Sequence, residues 1–389
     1  MARPDWGHTR VVERVGRACA GAADARELRL AVLGELRHVF GFDAYVWLLT
    51  DPQTWVGAAP LADVPVLPEL PALIRLKYQT TVNRWTGLPA GQARTLRRAT
   101  RGDLAYSLLW RQLLHRYGVH DMLSVAFTDR FGCWGFLDLW RLAPGPSFSD
   151  TEVRLLGQLT RPLTGALRRT QAEAFRPGPP VTGPPPGPAV LLLGPELTVR
   201  AQTGETEDYL RRLVPPDGDH APVPAGAYNV AAQLLAAEQG IDSHPPWARV
   251  HLTGGTWLTL RAARIGQPAG PAEPPATPAT AATAESAESA ATAESAATAE
   301  PPPPPAGRDV AVTIAATTPA DRAELFARAH GFTPRESELL GHLIVGGDTR
   351  DLAQQMFLSA HTVQDHLKSV FAKTGTRSRQ ALLSLVVGA

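Results

Sequence analysis

Four polar side chains near the C-terminus have types and spacing suited to a defined chemistry. Gln364, Asp365, Lys368 and Lys373 fall outside the apolar stripe of a predicted helix, which is formed by Val363, Leu367, Val370 and Phe371. Apolar residues at that spacing pack inward, so the polar set faces out. An exposed polar row of this kind is a contact face, since a pure docking face would be more apolar. No comparable set suggests catalysis: no segment shows a nucleophile–base pair, a phosphate loop or metal-ligand spacing. Cys133 lies in an apolar strand, where a thiol behaves as a small hydrophobe. His115, His120, His220, His244 and His251 are too scattered to argue for a metal. No catalytic residue, metal or cofactor is therefore expected.

The surrounding residues specify how that helix is held. Thr333-Pro334-Arg335-Glu336 combines a cap, a proline at the first helical position and a capping-box glutamate. Leu339, Leu340, Leu343 and Ile344 supply the apolar face, and Gly346-Gly347 ends the helix. Asp348 with Asp351 starts the next helix, in which Leu352, Ala353 and Met356 face inward. Phe357-Leu358 makes a short turn, and Ser359 caps a third helix running to about Lys373. Gly375 stops it, and Ser378 caps a last helix from Arg379 to Val387. Two short helices joined by a tight turn are what a helix-turn-helix requires. The second must project into a major groove about 12 Å wide.

The stretches FTPRESELL and GDTRDLAQQMFLSAHTVQDHLKSVFAKTGTRSRQAL resemble the LuxR-type helix-turn-helix domain. The resemblance covers nearly all of residues 331–389. It implies a recognition helix from Ser359 to about Lys373, with Gln364, Asp365 and Lys368 at base edges. It places Arg350, Thr362, Lys373, Arg377 and Arg379 at phosphates. Three departures stand out. Gln364 sits where the family often has Lys, Asp365 adds a negative charge, and Thr374 and Thr376 replace aliphatic residues. A helical docking module without DNA contact is the alternative, but its face would be more apolar.

The whole chain has 389 residues and a formal net charge of +1, which by itself argues against a nucleic-acid partner. The total is a cancellation: residues 1–176 carry net +7, residues 177–330 net −7 and residues 331–389 net +1. So weak a charge on the last segment predicts weak binding as a monomer, which a dimer on a two-part site would offset. Two cysteines exclude a disulfide scaffold and favour a reducing compartment. No secretory signal or membrane-length apolar run is visible, so a cytoplasmic protein is expected.

The 36 prolines and 34 glycines locate the boundaries. Residues 174–188 read as a Pro-rich spacer. Residues 266–308, built from Ala, Thr, Glu, Ser and Pro, cannot bury enough apolar surface to stay ordered. The chain thus divides into residues 8–173, residues 189–317 interrupted by that insertion, and residues 331–389. In the first unit a helix after Asp24, a strand at Asp43–Leu49, a hairpin around Asp129–Gly132 and a helix capped by Ser149 define an α+β domain. Pro162 should kink that last helix or sit where its missing N–H is tolerated. The DRFGCWGFLDLWR hairpin followed by FSDTEVRLLGQL resembles a GAF domain. Such domains bind small molecules over the sheet or serve only to dimerise. Trp47, Trp134 and Trp140 could line a pocket or be plain core.

In the second unit, strand patterns at 189–193, 197–201, 247–252 and 256–265 surround two helices. The strand at Asp309–Thr317 has no local partner, and a lone strand is unstable. It should return to the sheet left at Ile265, making 266–308 an insertion inside one domain. The order β-β-α-α-β-β-β resembles a PAS domain. The expected architecture is therefore multidomain: a GAF-like α+β unit, a PAS-like α+β unit and an all-α helix-turn-helix. The expected protein is a homodimeric transcription regulator of promoter DNA, modulated by an unknown small-molecule effector or partner protein. Two alternatives are a front half that only binds proteins, and an enzyme such as a cyclic-nucleotide hydrolase regulated by the GAF-like part. No acidic pair marks a phosphorylated receiver.

Overall fold

The computed structural model describes residues 6–176, 187–213, 222–252, 256–265 and 309–388. Most of the Pro-rich spacer, the whole 266–308 insertion, the turn at 253–255 and His220 lie outside the described residues. The first unit opens with α1 (Trp6–Gly21) and α2 (Ala25–Phe40). Asp24 caps α2 by accepting from the Arg26 and Glu27 N–H groups, and Gly41 ends it at φ +55°. Both signals were legible. Helix α1 was not anticipated; its Val11, Val15 and Cys19 recur every fourth residue and are buried. That spacing makes one apolar seam.

Next come β1 (Ala44–Thr50), β2 (Gly57–Asp63), α3 (Leu70–Gln79), β3 (Arg94–Thr95), α4 (Leu96–Ala99) and α5 (Leu108–Gln112). Strands β4 (Val119–Asp129) and β5 (Gly132–Leu142) form the expected hairpin, and α6 (Asp150–Glu173) follows. Ser149 and Glu152 make the predicted capping box. Helix α6 continues through Pro162, which lies on its exposed side. The antiparallel sheet has the order β2-β1-β5-β4-β3. Strand β2 went unread because Pro60 interrupts it. Pro is tolerated there since β2 is an edge.

The second unit contains β6 (Ala189–Leu193), β7 (Val199–Gln202), α7 (Gly204–Leu213), α8 (Ala225–Glu238), β8 (Trp247–His251), β9 (Trp257–Arg264) and β10 (Val310–Ala316). Its sheet order is β7-β6-β10-β9-β8, the same pattern as the first sheet. The strand after the insertion therefore returns as expected, and it lies at the sheet's centre. Val310 pairs with Arg264 on one side and Leu193 on the other. The Ile265 N–H donates to the Asp309 carbonyl, so the two ends of the insertion meet.

The two sheet units share a core. Helix α8 is apolar nearly all round (AGAYNVAAQLLAAE), and a helix of that kind is buried on several sides. It packs on β9 of its own sheet and on β2 and α3 of the first unit. Its small residues Gly226, Ala227 and Ala231 permit close approach. Beside it, Arg249 of β8 holds Asp51 with Nε at 2.7 Å and Nη2 at 3.0 Å, and both side chains are fully buried. The same guanidinium donates to the Asp321 carbonyl at 2.6 Å.

Asp321 belongs to α9 (Pro319–Ala329), a helix between the second sheet and the four C-terminal helices. Those are α10 (Pro334–Val345), α11 (Thr349–Gln355), α12 (Ala360–Thr374) and α13 (Arg379–Val387), matching the expected helical unit. Helix α9 packs on α6, α10 and α13. Phe175 stacks on Trp257 at 4.8 Å and meets Phe326 edge-on at 5.1 Å. Arg322 lies over Phe175 and donates to the Val386 carbonyl near the end of α13. No helix among the described residues is long and apolar enough to cross a membrane.

Two outcomes test this packing. Arg249→Ala leaves Asp51 buried without its partner and should cost about 3–5 kcal/mol in chemical denaturation. The double change Asp51→Leu with Arg249→Met should lose much less. Replacing residues 267–307 by a four-residue turn should preserve the fold and raise stability by about 2 kcal/mol at most, since loop closure costs about 0.6 kcal/mol per doubling. A drop in melting temperature would show that the insertion contributes contacts.

Candidate nucleic-acid interface

The helix pair α11–α12 is built by local signals. Asp348 accepts from the Arg350 and Asp351 N–H groups, and Asp351 closes the box by accepting from the Asp348 N–H. Helix α11 ends at Met356, and Phe357 takes φ +56° to reverse the chain. The Leu358 N–H then donates back to the Ala353 carbonyl at 2.9 Å. Ser359 caps α12 by accepting from the Thr362 N–H. Val363, Leu367 and Val370 are buried beneath α12 as predicted; Phe371 is only half-buried.

The opposite side of α12 presents Gln364, Asp365 and Lys368 to solvent. The Lys368 ammonium lies 3.1 Å from Asp365 Oδ1, and His361 Nε2 is 3.5 Å from Oδ2 of the same carboxylate. The hydrogen bond from Lys368 is the main reason the Asp365 carboxyl is held below the usual carboxylate range. His361 thus joins a row that sequence reading limited to three residues. The available signal was its i,i+4 spacing from Asp365.

The five candidates for phosphate contact divide. Arg350 and Arg377 are exposed, and their guanidinium groups have no hydrogen-bond or ion-pair partner among the described residues. Thr362 is half-exposed, with its hydroxyl 2.9 Å from that of Ser359. Lys373 and Arg379 have partners within the module. Lys373 donates to Glu336 at 2.6 Å and to the Gly331 carbonyl at 3.2 Å. Arg379 donates to Thr349 Oγ1 at 2.7 Å and to the Gly347 carbonyl. These two cations brace α12 and α13 against α10 and the α10–α11 loop. Sequence spacing could not show this, because each partner lies about 30 or more residues away.

Glu336 is the hub of that bracing. It caps α10 with Thr333 and accepts from Ser369 at 2.6 Å as well as from Lys373. Burial alone would push its carboxyl up. The Lys373 ammonium, the Ser369 hydroxyl and Thr333 outweigh burial and hold it at about 2. Thr374, which departs from an aliphatic pattern, is buried and satisfies its hydroxyl on the Val370 carbonyl and Thr376.

Among its described residues, the front half offers no equivalent constellation. Trp140 lies in the core on one face of the first sheet, whereas Trp47 and Trp134 lie in the core on the other. The three do not share a pocket. Lys77, Asp138, Ser124 and Trp85 form a buried polar knot on the Trp140 face. Lys77 Nζ is 3.0 Å from Asp138, which also accepts from Trp85 Nε1 at 2.8 Å. Burial lowers the Lys77 pKa, and Asp138 opposes that shift. Cys133 is fully buried, and burial pushes its thiol up to about 12, the mark of an unreactive cysteine. No group of three potential metal ligands occurs among the described residues.

Residues 330–386 match the family model described as bacterial regulatory proteins, luxR family. This segment is a LuxR-family helix-turn-helix domain, and the chain is a multidomain protein with that domain behind two sheet units. Among solved structures, the chain is similar to the chromophore-binding domain of a Stigmatella aurantiaca phytochrome, with 21% identity, 42% of this chain and 60% of that chain covered, and a TM-score of 0.29. It is also similar to the chromophore-binding domain of an unusual bacteriophytochrome from R. palustris, with 19% identity, 42% and 61% covered, and a TM-score of 0.29. The chain thus spans about three fifths of those chains. Comparison with curated proteins gives no match.

The Glu336 network predicts a defined acid sensitivity. Its folded pKa is depressed, so its contribution is complete above the unfolded value near 4.5 and is lost as pH falls toward 2. The contribution is at most about 3 kcal/mol. Denaturation of Glu336→Gln should be less pH-dependent across that interval than that of the parent chain. Equal slopes would remove Glu336 from this role.

Proposed function

We propose that this LuxR-family DNA-binding regulator works as a cytoplasmic, non-enzymatic homodimer on promoter DNA, with its two sheet units adjusting the activity of the C-terminal domain. The observation that carries the reading is the exposed row Gln364, Asp365 and Lys368 on α12, within a segment matching the family. Base-edge contact falls to these three residues. Phosphate contact falls to Arg350, Arg377, Thr362 and the N–H groups at the start of α12. Lys373 and Arg379 act as braces. The low charge of the domain favours two copies on a two-part site.

The row on α12 is open while α9 holds the domain against the sheets. Modulation therefore works through the placement of two reading helices relative to one another, not through burial of either. A second reading has support from the first sheet. Lys77, Trp85, Phe136 and Trp140 fill one face with their own side chains. This favours a protein-interaction or dimerisation role for that unit over ligand capture at that position.

Binding of the full chain to sites found by genomic footprinting tests the assignment. Lys368→Ala should weaken binding. If Lys368 meets phosphate, the salt dependence should flatten by about one ion. If it reads a base, the loss should be confined to one sequence and reach about 1–3 kcal/mol. Asp365→Asn should raise non-specific affinity, because it removes a negative charge and releases Lys368. Unchanged binding in both variants would end the assignment of α12 as the reading helix.

A further inference from the structure

A groove of about 670 Å³ lies where the β4–β5 hairpin turn meets α9 and α10. Its volume is in the range of small-molecule sites, which favour junctions between domains. The floor is Ala323, Ala327 and Leu340, and the walls are Phe131, Ile344 and Val345. Val345 is 89% exposed although apolar. The site is wide at α10 because position 341 is glycine. An added Cβ there would meet nothing within 4 Å.

The polar groups on the rim are charged unequally. Glu324 is held by Arg328 at 3.0 Å and approached by Arg249 at 3.7 Å. Arg328 also donates to the Phe131 carbonyl. Arg130 lies over the Phe131 ring at 4.7 Å and has no ion-pair or hydrogen-bond partner among the described residues. The groove thus combines an apolar interior with one unneutralised guanidinium at its mouth.

We infer that this groove binds a small amphipathic anion, with its apolar body between α9 and α10 and its acidic head on Arg130. The ligand bridges the hairpin of the first unit and the first helix of the DNA-binding domain. Those parts already touch there: Gly331, at φ +68°, lies so close that a Cβ would come within 3.3 Å of the Phe131 ring. An occupant therefore acts on the contact between sensor hairpin and DNA-binding domain. The inference is independent of whether α12 reads DNA.

Fluorescence titration of the full chain with 1-anilinonaphthalene-8-sulfonate tests it, with octanoate and 1-octanol as competitors. One saturable site is expected, displaced by octanoate better than by octanol. Gly341→Leu puts a side chain into the groove while raising helix propensity, so folding should persist. It should weaken dye binding at least tenfold without lowering the melting temperature. Arg130→Ala should remove the preference for octanoate over octanol. Undiminished dye binding in Gly341→Leu, absence of saturable binding, or equal competition by octanol in the parent chain would each overturn the assignment.

Discussion

The arrangement of the molecule depends on one buried guanidinium. Arg249 forms a two-pronged contact with Asp51 of the first unit through Nε and Nη2; Nη2 also reaches Gln53, and Nη1 donates to the Asp321 carbonyl of α9. A charge removed from water must find several partners at once, and these come from two segments, the loop after β1 and the start of α9. Its planar fork suits that task in a way a lysine cannot. Once it is satisfied, the first sheet, the second sheet and the start of α9 have fixed relative positions. Helix α9 then carries that geometry to the C-terminal helices through Arg322 and the Phe175 stack.

Much of the local structure was legible. Asp24, Ser149, Thr333, Asp348 and Ser359 each cap a helix within three residues, so the signal and its partner lie side by side in the sequence. The return of β10 was legible for a different reason: an alternating strand with no neighbour must find one elsewhere. What escaped was anything set by packing between distant segments. The composition of α8 shows that it is buried, but not that half of its cover comes from β2 and α3. The alternation in β10 shows a half-buried strand, but not its place at the centre of the sheet.

The same division holds in the DNA-binding domain. Gln364, Asp365 and Lys368 face outward because the helical period alone decides their side. Lys373 and Arg379 share the charge expected of phosphate contacts, and each is also hydrogen-bonded within the domain, to Glu336 and the Gly331 carbonyl and to Thr349 and the Gly347 carbonyl. A cation's sequence position does not say whether a carboxylate some 40 residues away will reach it first. The bracing fixes the tilt of α12 against α10, while Arg350 and Arg377 stay unencumbered.

The central place of β10 has a consequence for synthesis. Strands β6 and β9 leave the ribosome with the edges that β10 will join still open. About 40 residues of insertion must be translated before the missing strand appears, which takes about 2–8 s at about 5–20 residues per second. During that interval the first unit can fold completely. The second sheet closes only afterwards, and α9 emerges directly behind β10. The DNA-binding helices are therefore made after the second sheet is complete and dock onto a body that is already closed.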